Sequence, residues 1–189
     1  MLSVIIATDE SERPLVSTLA ALVPGATAGA IREVIVADIG SRDQTAEVAD
    51  VAGCRIMVSP APLAGRLRAA ATLARSAWLM FLRPGMAPDA TWIAESMRFI
   101  EQAELAGDAH ARAAVFSPGA IAGHAAGPLP GLRGLFRSAP RPEQGLIIAK
   151  RAYDALSGHR DGAADCERDL LRRLGRRITV LRTASTMID

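Results

Sequence analysis

Short apolar runs that have the character of strands alternate with helical segments through the first half of this 189-residue chain. The strand signals cover residues 2–7, 33–37, 55–58 and 78–82, and the segments between them have the length and composition of helices. Strands that are apolar on both faces are typical of parallel sheets built from strand, helix and strand units. The sequence therefore predicts a doubly wound α/β fold, with a mostly parallel sheet and helices on both faces.

The second half of the chain carries weaker signals. Further strands and helices are predicted at residues 113–116, 145–149, 151–156, 166–174 and 177–181. Residues 117–142 form an irregular segment rich in Pro and Gly, and loops of this length in a compact domain often act as lids. Because a chain of this length can bury its own core, we expect a single domain over residues 1–189.

Composition excludes several classes of protein. Half of the residues are hydrophobic and 22% are charged, which is not the composition of a disordered chain. The longest apolar runs are far shorter than the roughly 20 residues of a membrane-spanning helix, and the sequence does not open with a signal peptide. We therefore expect a cytoplasmic protein in which Cys54 and Cys166 are reduced thiols.

Positive charge is concentrated in the second half of the chain. Residues 112–189 contain thirteen basic and seven acidic residues, whereas residues 1–100 contain nine and ten. Such a bias suits a phosphorylated ligand or an anionic lipid surface. Aromatic residues make up only 4% of the chain, which offers little stacking for bases. We expect no nucleic-acid partner, and a peripheral contact with the inner face of the membrane stays open.

Polar residues follow three of the predicted strands, at residues 8–10, 38–43 and 83–86. In doubly wound sheets, ligands bind outside the carboxyl ends of the strands, so these three loops predict one crevice. Asp38 is positioned to accept a hydrogen bond from a nucleoside, and Gly40 permits a close backbone approach. For Asp43 and Thr45 two roles are equally open. They could contact a ligand, or one of them could simply cap the helix that follows the turn.

The segment from Glu33 to Thr45 resembles the E-V-I-V-x-D-x-G-S-x-D-x-T segment of the family 2 glycosyltransferases, which are inverting enzymes of the GT-A fold. Four other segments, in the same order along the chain, are similar to segments of that family. They are the opening strand and loop at 3–8, the A-R-S-A-W-L-M-F-L run at 74–82, the E-Q-G step at 143–145 and the run at 169–175.

This resemblance implies a GT-A-like fold and the transfer of a sugar from a nucleotide-sugar donor, with a UDP-linked sugar expected, to an unknown acceptor. It implies a nucleotide-binding half at residues 1–105 and an acceptor half at residues 106–189, with residues 117–142 as the acceptor lid. The residues expected to hold the donor are Thr8, Glu10, Asp38, Gly40, Ser41, Arg66 and Arg68.

The family implies a Mg²⁺ or Mn²⁺ ion, but Arg83-Pro84-Gly85 stands where its acidic metal motif is expected. These hard cations need oxygen ligands, so we expect no metal ligands in this segment. Pro followed by Gly at the centre predicts a type II turn. In place of a metal, the Arg83 guanidinium is expected to pair with the phosphate oxygens of the donor and stabilise the departing diphosphate.

The family's catalytic E-D pair corresponds to Cys166-Glu167 in this sequence. Glu167 is therefore expected to deprotonate the acceptor hydroxyl, with Asp165 as the alternative base. Two residues that are two apart on a helix point to different faces, so only one of these carboxylates is expected to reach the acceptor.

Two other kinds of function stay open. The loss of the acidic motif fits a catalytically degenerate GT-A-like protein that binds a nucleotide or a partner protein, and the basic second half fits a protein that binds anionic surfaces. The spacing of His110, His124 and His159 matches no metal site, and we expect these residues at the surface or in loops.

Overall fold

The computed structural model describes residues 1–107, 112–118 and 139–188. Its strands are β1 Leu2–Thr8, β2 Ile31–Asp38, β3 Arg55–Val58, β4 Trp78–Leu82, β5 Met86–Pro88, β6 Ala113–Pro118, β7 Leu146–Ala149 and β8 Ile178–Met187. Its helices are α1 Glu12–Thr27, α2 Thr45–Val51, α3 Leu63–Leu73, α4 Trp92–Leu105, α5 Lys150–Ala155 and α6 Cys166–Leu174. Over these ranges, no helix has both the length and the apolar character needed to cross a membrane.

One sheet contains all of the described strands, in the order β3-β2-β1-β4-β7-β6-β8-β5. The pairs β2–β3, β1–β2, β1–β4 and β6–β8 are parallel, and the pairs β4–β7, β6–β7 and β5–β8 are antiparallel. All strands except β7 and β5 therefore run in the same direction. The prediction of a mostly parallel α/β sheet is confirmed.

Strand β1 lies at the centre of the core. Its Ile5 is aligned with Ile35 of β2 and with Phe81 of β4, and all three side chains are buried. Helices pack against these strands, which is why β1, β4 and residues 34–37 of β2 are mostly apolar and do not alternate with polar residues. This arrangement places the polar ends of β1, β2 and β4 side by side at one edge of the sheet.

Several element boundaries differ from the prediction. Helix α1 continues to Thr27 through Pro24, a residue that commonly ends a helix, and α3 covers Leu63–Leu73. Strand β8 continues to Met187, well beyond the predicted end at residue 181. The sequence pattern missed this part of the strand because two of its inward positions are the buried polar residues Thr183 and Ser185. Polar residues at inward positions hide the alternating apolar pattern of a strand. The short strand β5 was not predicted, and it exists by pairing with β8.

The turn after β4 has the geometry that its Pro-Gly sequence predicts. The N–H of Met86 donates to the carbonyl of Arg83 at 3.1 Å, and Gly85 has a φ of 87°. Gly85 also donates its N–H to Pro14 and accepts a hydrogen bond from the N–H of Ile188. A Cβ at Gly85 would lie 2.7 Å from the carbonyl oxygen of Ile188, so only glycine fits between the start of α1 and the segment that follows β8. The backbone of this turn is thus fixed by α1 and by the residue after β8.

Candidate functional site

The Asp38 carboxylate joins the loops that follow β1 and β2. Its Oδ1 accepts hydrogen bonds from Thr8 Oγ1 at 2.7 Å and Ser41 Oγ at 2.6 Å, and its Oδ2 accepts from the N–H groups of Gly40 and Ser41 at 2.7 Å each. Burial raises the pKa of Asp38, but these hydrogen bonds outweigh burial and leave the pKa below its ordinary value. Asp38 is 1% exposed. It organises both loops, and its direct contact with a nucleoside stays a prediction.

Glu10 reinforces this connection from the first loop. Its carboxylate accepts hydrogen bonds from the N–H of Arg42 at 2.8 Å and of Asp43 at 3.2 Å, and its own N–H donates to Ser41 Oγ. Glu10 has a φ of 45°, a left-handed conformation that is uncommon for residues other than glycine. The predicted donor residues Glu10, Asp38, Gly40 and Ser41 therefore meet in one network.

Asp43 and Thr45 link the starts of α1 and α2, but neither is the N-cap of α2, which is Gln44 and has no side-chain capping hydrogen bond. Asp43 Oδ1 accepts from the N–H of Thr45 at 3.0 Å, and Asp43 Oδ2 accepts from the N–H of Glu12 at 3.1 Å. Thr45 Oγ1 in turn accepts from the N–H of Ser11 at 2.9 Å. The starts of α1 and α2 are thereby held together, which fixes one wall of the crevice.

Arg66, on α3, lies beneath the same loops. Its Nη1 donates to the carbonyls of Thr8 at 2.8 Å and Ala37 at 2.6 Å. The side chain is 5% exposed, and its buried Nε has no hydrogen-bond partner. Burial lowers the pKa of Arg66, and the nearby charges of Asp9 and Asp38 only partly oppose that effect. Arg66 is therefore a buried cation at the floor of the crevice with an unused N–H donor.

The structure does not bring Arg68 to these residues. Its Nη1 donates to the carbonyl of His159 at 2.5 Å, and its guanidinium forms an ion pair with Asp161. The prediction that Arg68 holds the donor together with Arg66 finds no support in this geometry, because residues two apart on α3 point in different directions.

Two cavities lie at this edge of the sheet. The larger, of about 600 Å³, is lined by residues that include Thr8, Asp9, Glu10, Arg66, Phe81 and Pro14. The smaller, of about 360 Å³, is lined by Pro62, Ala64 and residues 160–166. Leu63, Arg83 and Glu167 line both cavities. The cavities are therefore adjacent, and the side chains of Arg83 and Glu167 lie between them.

Arg83 is held by two carboxylates. Its Nε and Nη2 donate to Glu167 Oε2 at 2.9 and 2.5 Å, and its Nη1 donates to Glu143 Oε1 at 2.9 Å. Burial alone would lower the pKa of Arg83, but the hydrogen bonds and charges of Glu167, followed by the charge of Glu143, raise it. The guanidinium is therefore protonated at neutral pH. The two catalytic candidates Arg83 and Glu167 are in direct contact.

The residues around Arg83 do not fit a divalent cation. The turn from Arg83 to Met86 contributes no carboxylate, and the guanidinium already occupies the space between Glu143 and Glu167. Across residues 1–107, 112–118 and 139–188, no group of three or more His, Cys, Asp and Glu side chains is arranged to hold a metal ion. Hard cations need several oxygen ligands at once, so we assign no chemical step to a metal here.

Glu167 and Asp165 have different positions, as their spacing predicts. Glu167 lies in the first turn of α6 and lines both cavities, whereas Asp165 lines only the smaller one. Asp165 is the N-cap of α6, and its Oδ1 accepts from the N–H of Arg168 at 2.8 Å. The geometry thus places Glu167 at the junction of the cavities and gives Asp165 a structural task at the helix end.

Glu143 is a site residue that sequence reasoning missed. It belongs to the short 3-10 turn Pro142–Gln144, which is held in place because Gln144 Nε2 donates to the carbonyl of Phe116 at 2.6 Å. The E-Q-G step marked this position in the sequence. Only the fold shows that the turn faces Arg83.

His159 lies in a loop, as one of the two expectations had it, but it is buried and not at the surface. It follows α5 in a loop, yet it is 2% exposed because it packs against the rings of Phe81 and Tyr153. Tyr153 Oη and His159 Nδ1 share a hydrogen bond of 2.8 Å, and burial, followed by the charges of Arg173 and Arg68, lowers the pKa of His159 to about 3. His110 and His124 lie outside the described residues.

We expect stability to fall as the pH is lowered from 7 to 5, because His159 must stay neutral in the folded protein. Between its unfolded pKa of 6.5 and its folded pKa of about 3, the unfolded chain binds the additional proton. The free energy of unfolding should therefore drop by about 2 kcal/mol between pH 6.5 and 5. Urea unfolding of the wild type and of His159→Asn at each pH measures this loss. Equal pH dependence in the two proteins would contradict the assignment.

Most of the predicted acceptor lid, residues 117–142, lies outside the part of the chain that the structure describes. Residues 117 and 118 end β6, and Pro142 begins the short turn that carries Glu143. The lid and the peripheral membrane contact therefore stay predictions.

The architecture is that of GT-A-type glycosyltransferase structures, a doubly wound α/β fold. Among solved structures, TarS 1–349 from S. aureus in complex with UDP-GlcNAc is similar over 95% of this chain and 55% of its own, with a TM-score of 0.68 and 18% identity. Glucosyl-3-phosphoglycerate synthase from Mycobacterium tuberculosis, in complex with Mn²⁺, UDP-glucose and phosphoglyceric acid, is similar over 100% of this chain and 72% of its own, with a TM-score of 0.65 and 17% identity.

Sequence comparison gives no closer assignment. No model of a protein family matches the chain, and no curated protein matches it. The chain spans little more than half of TarS 1–349, at 57%. At these identities the structural likeness shows the fold alone.

Proposed function

We propose that the chain is an inverting glycosyltransferase that moves a sugar from a UDP-linked donor to an acceptor hydroxyl. The observation that carries the proposal is the contact of Arg83 with Glu167 at the junction of two cavities, on the crevice edge of a GT-A-type fold. A fixed cation and a carboxylate base are the two groups that such a transfer needs. The complexes of TarS with UDP-GlcNAc and of the synthase with UDP-glucose support the choice of donor.

The larger cavity is the site we propose for the nucleotide. The loops joined by Asp38 and Glu10 form one wall, and the Arg66 side chain lines the cavity from α3. The positive charge of this guanidinium favours the binding of an anionic group such as a phosphate. Thr8 and Ser41 contribute by holding the Asp38 carboxylate in place.

Arg83 is the residue we propose for stabilising the leaving group. When the bond between the anomeric carbon and the diphosphate oxygen breaks, the electron pair goes to the diphosphate, whose added negative charge needs a cation. Glu167 takes the proton of the acceptor hydroxyl, and the resulting oxygen nucleophile attacks the anomeric carbon from the face opposite the diphosphate. That direction of attack inverts the configuration of the sugar.

We expect nucleotide binding to be independent of a divalent cation. Calorimetric titration of UDP and UDP-sugars in EDTA and in Mn²⁺ should give dissociation constants within about twofold of each other, because Arg83 supplies the positive charge. Release of UDP from a donor sugar, measured in the same buffers, tests the transfer itself. If EDTA abolishes binding and Mn²⁺ restores it, other carboxylates hold a metal and the assignment of Arg83 is wrong.

The second candidate is a degenerate GT-A-like protein that binds the nucleotide without turning it over. The engagement of Glu167 by Arg83 favours it, since a carboxylate held in an ion pair is not free to accept a proton. Thermal stabilisation by UDP-sugars without any release of UDP would select this candidate.

A further inference from the structure

The Arg83–Glu167 ion pair forms a partition inside the site. The two side chains, with Leu63, belong to the walls of both the 600 Å³ and the 360 Å³ cavity. A donor whose nucleotide lies in the larger cavity and whose sugar meets an acceptor in the smaller one has to pass this pair. The closed pair therefore obstructs the path that the proposed reaction needs.

The N–H groups of Arg83 are engaged by protein carboxylates. Nε and Nη2 contact one oxygen of Glu167, and Nη1 contacts Glu143. A diphosphate that binds Arg83 in a bidentate manner needs the same donors, so it competes with Glu167 for them. The three side chains together carry a charge of −1, which also opposes the approach of an anion while both carboxylates stay close.

We propose that this pair is an exchangeable gate: a diphosphate in the larger cavity takes Arg83 from Glu167, which joins the two cavities and frees the Glu167 carboxylate to act as a base. This inference rests on the proposed function and extends it to an order of binding. The donor opens the gate, and the acceptor meets a free base only after the donor is bound. Without the donor, the base stays neutralised.

The local structure allows the exchange through side chains alone. The backbone of the turn is fixed by hydrogen bonds of Gly85 with Pro14 and Ile188, so Arg83 pivots from a rigid point. The pair is part exposed, with 34% of the Arg83 side chain and 16% of the Glu167 side chain accessible, so breaking it costs less than breaking a fully buried pair. Glu143 still holds Nη1 and limits how far the guanidinium moves.

The test compares the binding of UDP and of uridine in EDTA, because only UDP carries the phosphates that compete for Arg83. Glu167→Gln removes the competing charge with almost no change in shape, and we expect it to tighten UDP binding about 10-fold and to leave uridine binding within about twofold. Asp161→Asn is the matched control, since it removes a carboxylate from the wall of the smaller cavity that pairs with Arg68. Glu143→Gln is a second variant, with an expected gain of about threefold for UDP.

An Arg83→Gln background completes the experiment. In that background, Glu167→Gln should give no gain in UDP affinity, because the guanidinium for which Glu167 and the diphosphate compete is absent. Melting curves of every variant show whether it is folded, and Glu143→Gln carries the test if Glu167→Gln is not.

The outcomes separate the gate from the proposed function. If the wild type binds UDP and Glu167→Gln binds it no better than Asp161→Asn does, the gate is wrong and the proposed function stands. An equal gain for uridine, or a gain that persists in the Arg83→Gln background, also overturns the gate. If neither the folded wild type nor folded Glu167→Gln binds UDP, the proposed function fails and the gate fails with it.

Discussion

Replacing Glu167 by Gln should reduce the rate of sugar transfer by about 100-fold or more, because an amide cannot accept the proton of the acceptor hydroxyl. The change keeps the size of the side chain and leaves α6 intact, so the melting temperature should change little. The loss should appear in kcat at saturating donor, measured as release of UDP. Together with the tighter UDP binding expected from the gate, this variant should bind better and turn over more slowly.

Two variants distinguish Glu167 from its neighbour. Glu167→Asp shortens the side chain by one methylene to the residue type expected at this position from the family 2 pattern, and it should retain much of the activity. Asp165→Ser removes the second carboxylate but keeps a side chain that can cap α6. Full activity of Glu167→Gln, combined with an inactive Asp165→Ser protein, would reverse the assignment of the base.

Replacing Asp38 by Ala should have the largest effect on stability at the site, a loss of about 3 kcal/mol in the free energy of unfolding. The carboxylate is buried and accepts four hydrogen bonds, so its removal leaves the hydroxyls of Thr8 and Ser41 and two backbone N–H groups without their acceptor. Nucleotide affinity should also fall by at least ~1.5 kcal/mol, because the two loops lose their alignment. Urea unfolding and calorimetric titration measure the two effects.

The control for Asp38→Ala is Asp50→Ala, an exposed acidic residue near the end of α2, which should change stability by less than about 0.5 kcal/mol. Ser41→Ala removes the hydroxyl that donates to Asp38 and accepts from the N–H of Glu10, and it should cost about 1 to 2 kcal/mol. A folded Asp38→Ala protein with unchanged stability and unchanged affinity would remove Asp38 from the site altogether.

The sheet was predictable from the sequence where strands are buried on both faces. Strands β1 and β4 and residues 34–37 of β2 are almost entirely apolar, a pattern that is typical of strands in parallel sheets. The later part of β8 escaped prediction because Thr183 and Ser185 are buried polar residues at inward positions. Strand β5 was not predicted because its three residues are too few to show an alternating pattern, and only its pairing with β8 defines it as a strand.

The candidate site was predictable wherever a residue follows a strand directly. Asp38, Glu10 and Ser41 were expected together, and they form one network. Glu143 was missed, because contact with Arg83 depends on how β6 and β7 return beside β4, which no local pattern encodes. Arg66 and Arg68 were predicted to hold the donor together. They are two residues apart on α3 and therefore point in different directions, so Arg66 contacts Thr8 whereas Arg68 contacts Asp161.

The hydrogen bond from Ile188 to Gly85 also has a consequence for how the protein is made. The turn that carries Arg83 is complete only when β8 pairs with β5, and residues 86–187 lie between the two partners in sequence. During synthesis on the ribosome, the first three parallel strands can assemble early, whereas the crevice has to wait for residue 188 to leave the exit tunnel. Pairings of such long sequence separation form slowly. A nascent chain halted before β8 therefore lacks the hydrogen bond that supports the Arg83 turn, and it exposes apolar strand surface of the kind that makes folding intermediates prone to aggregate.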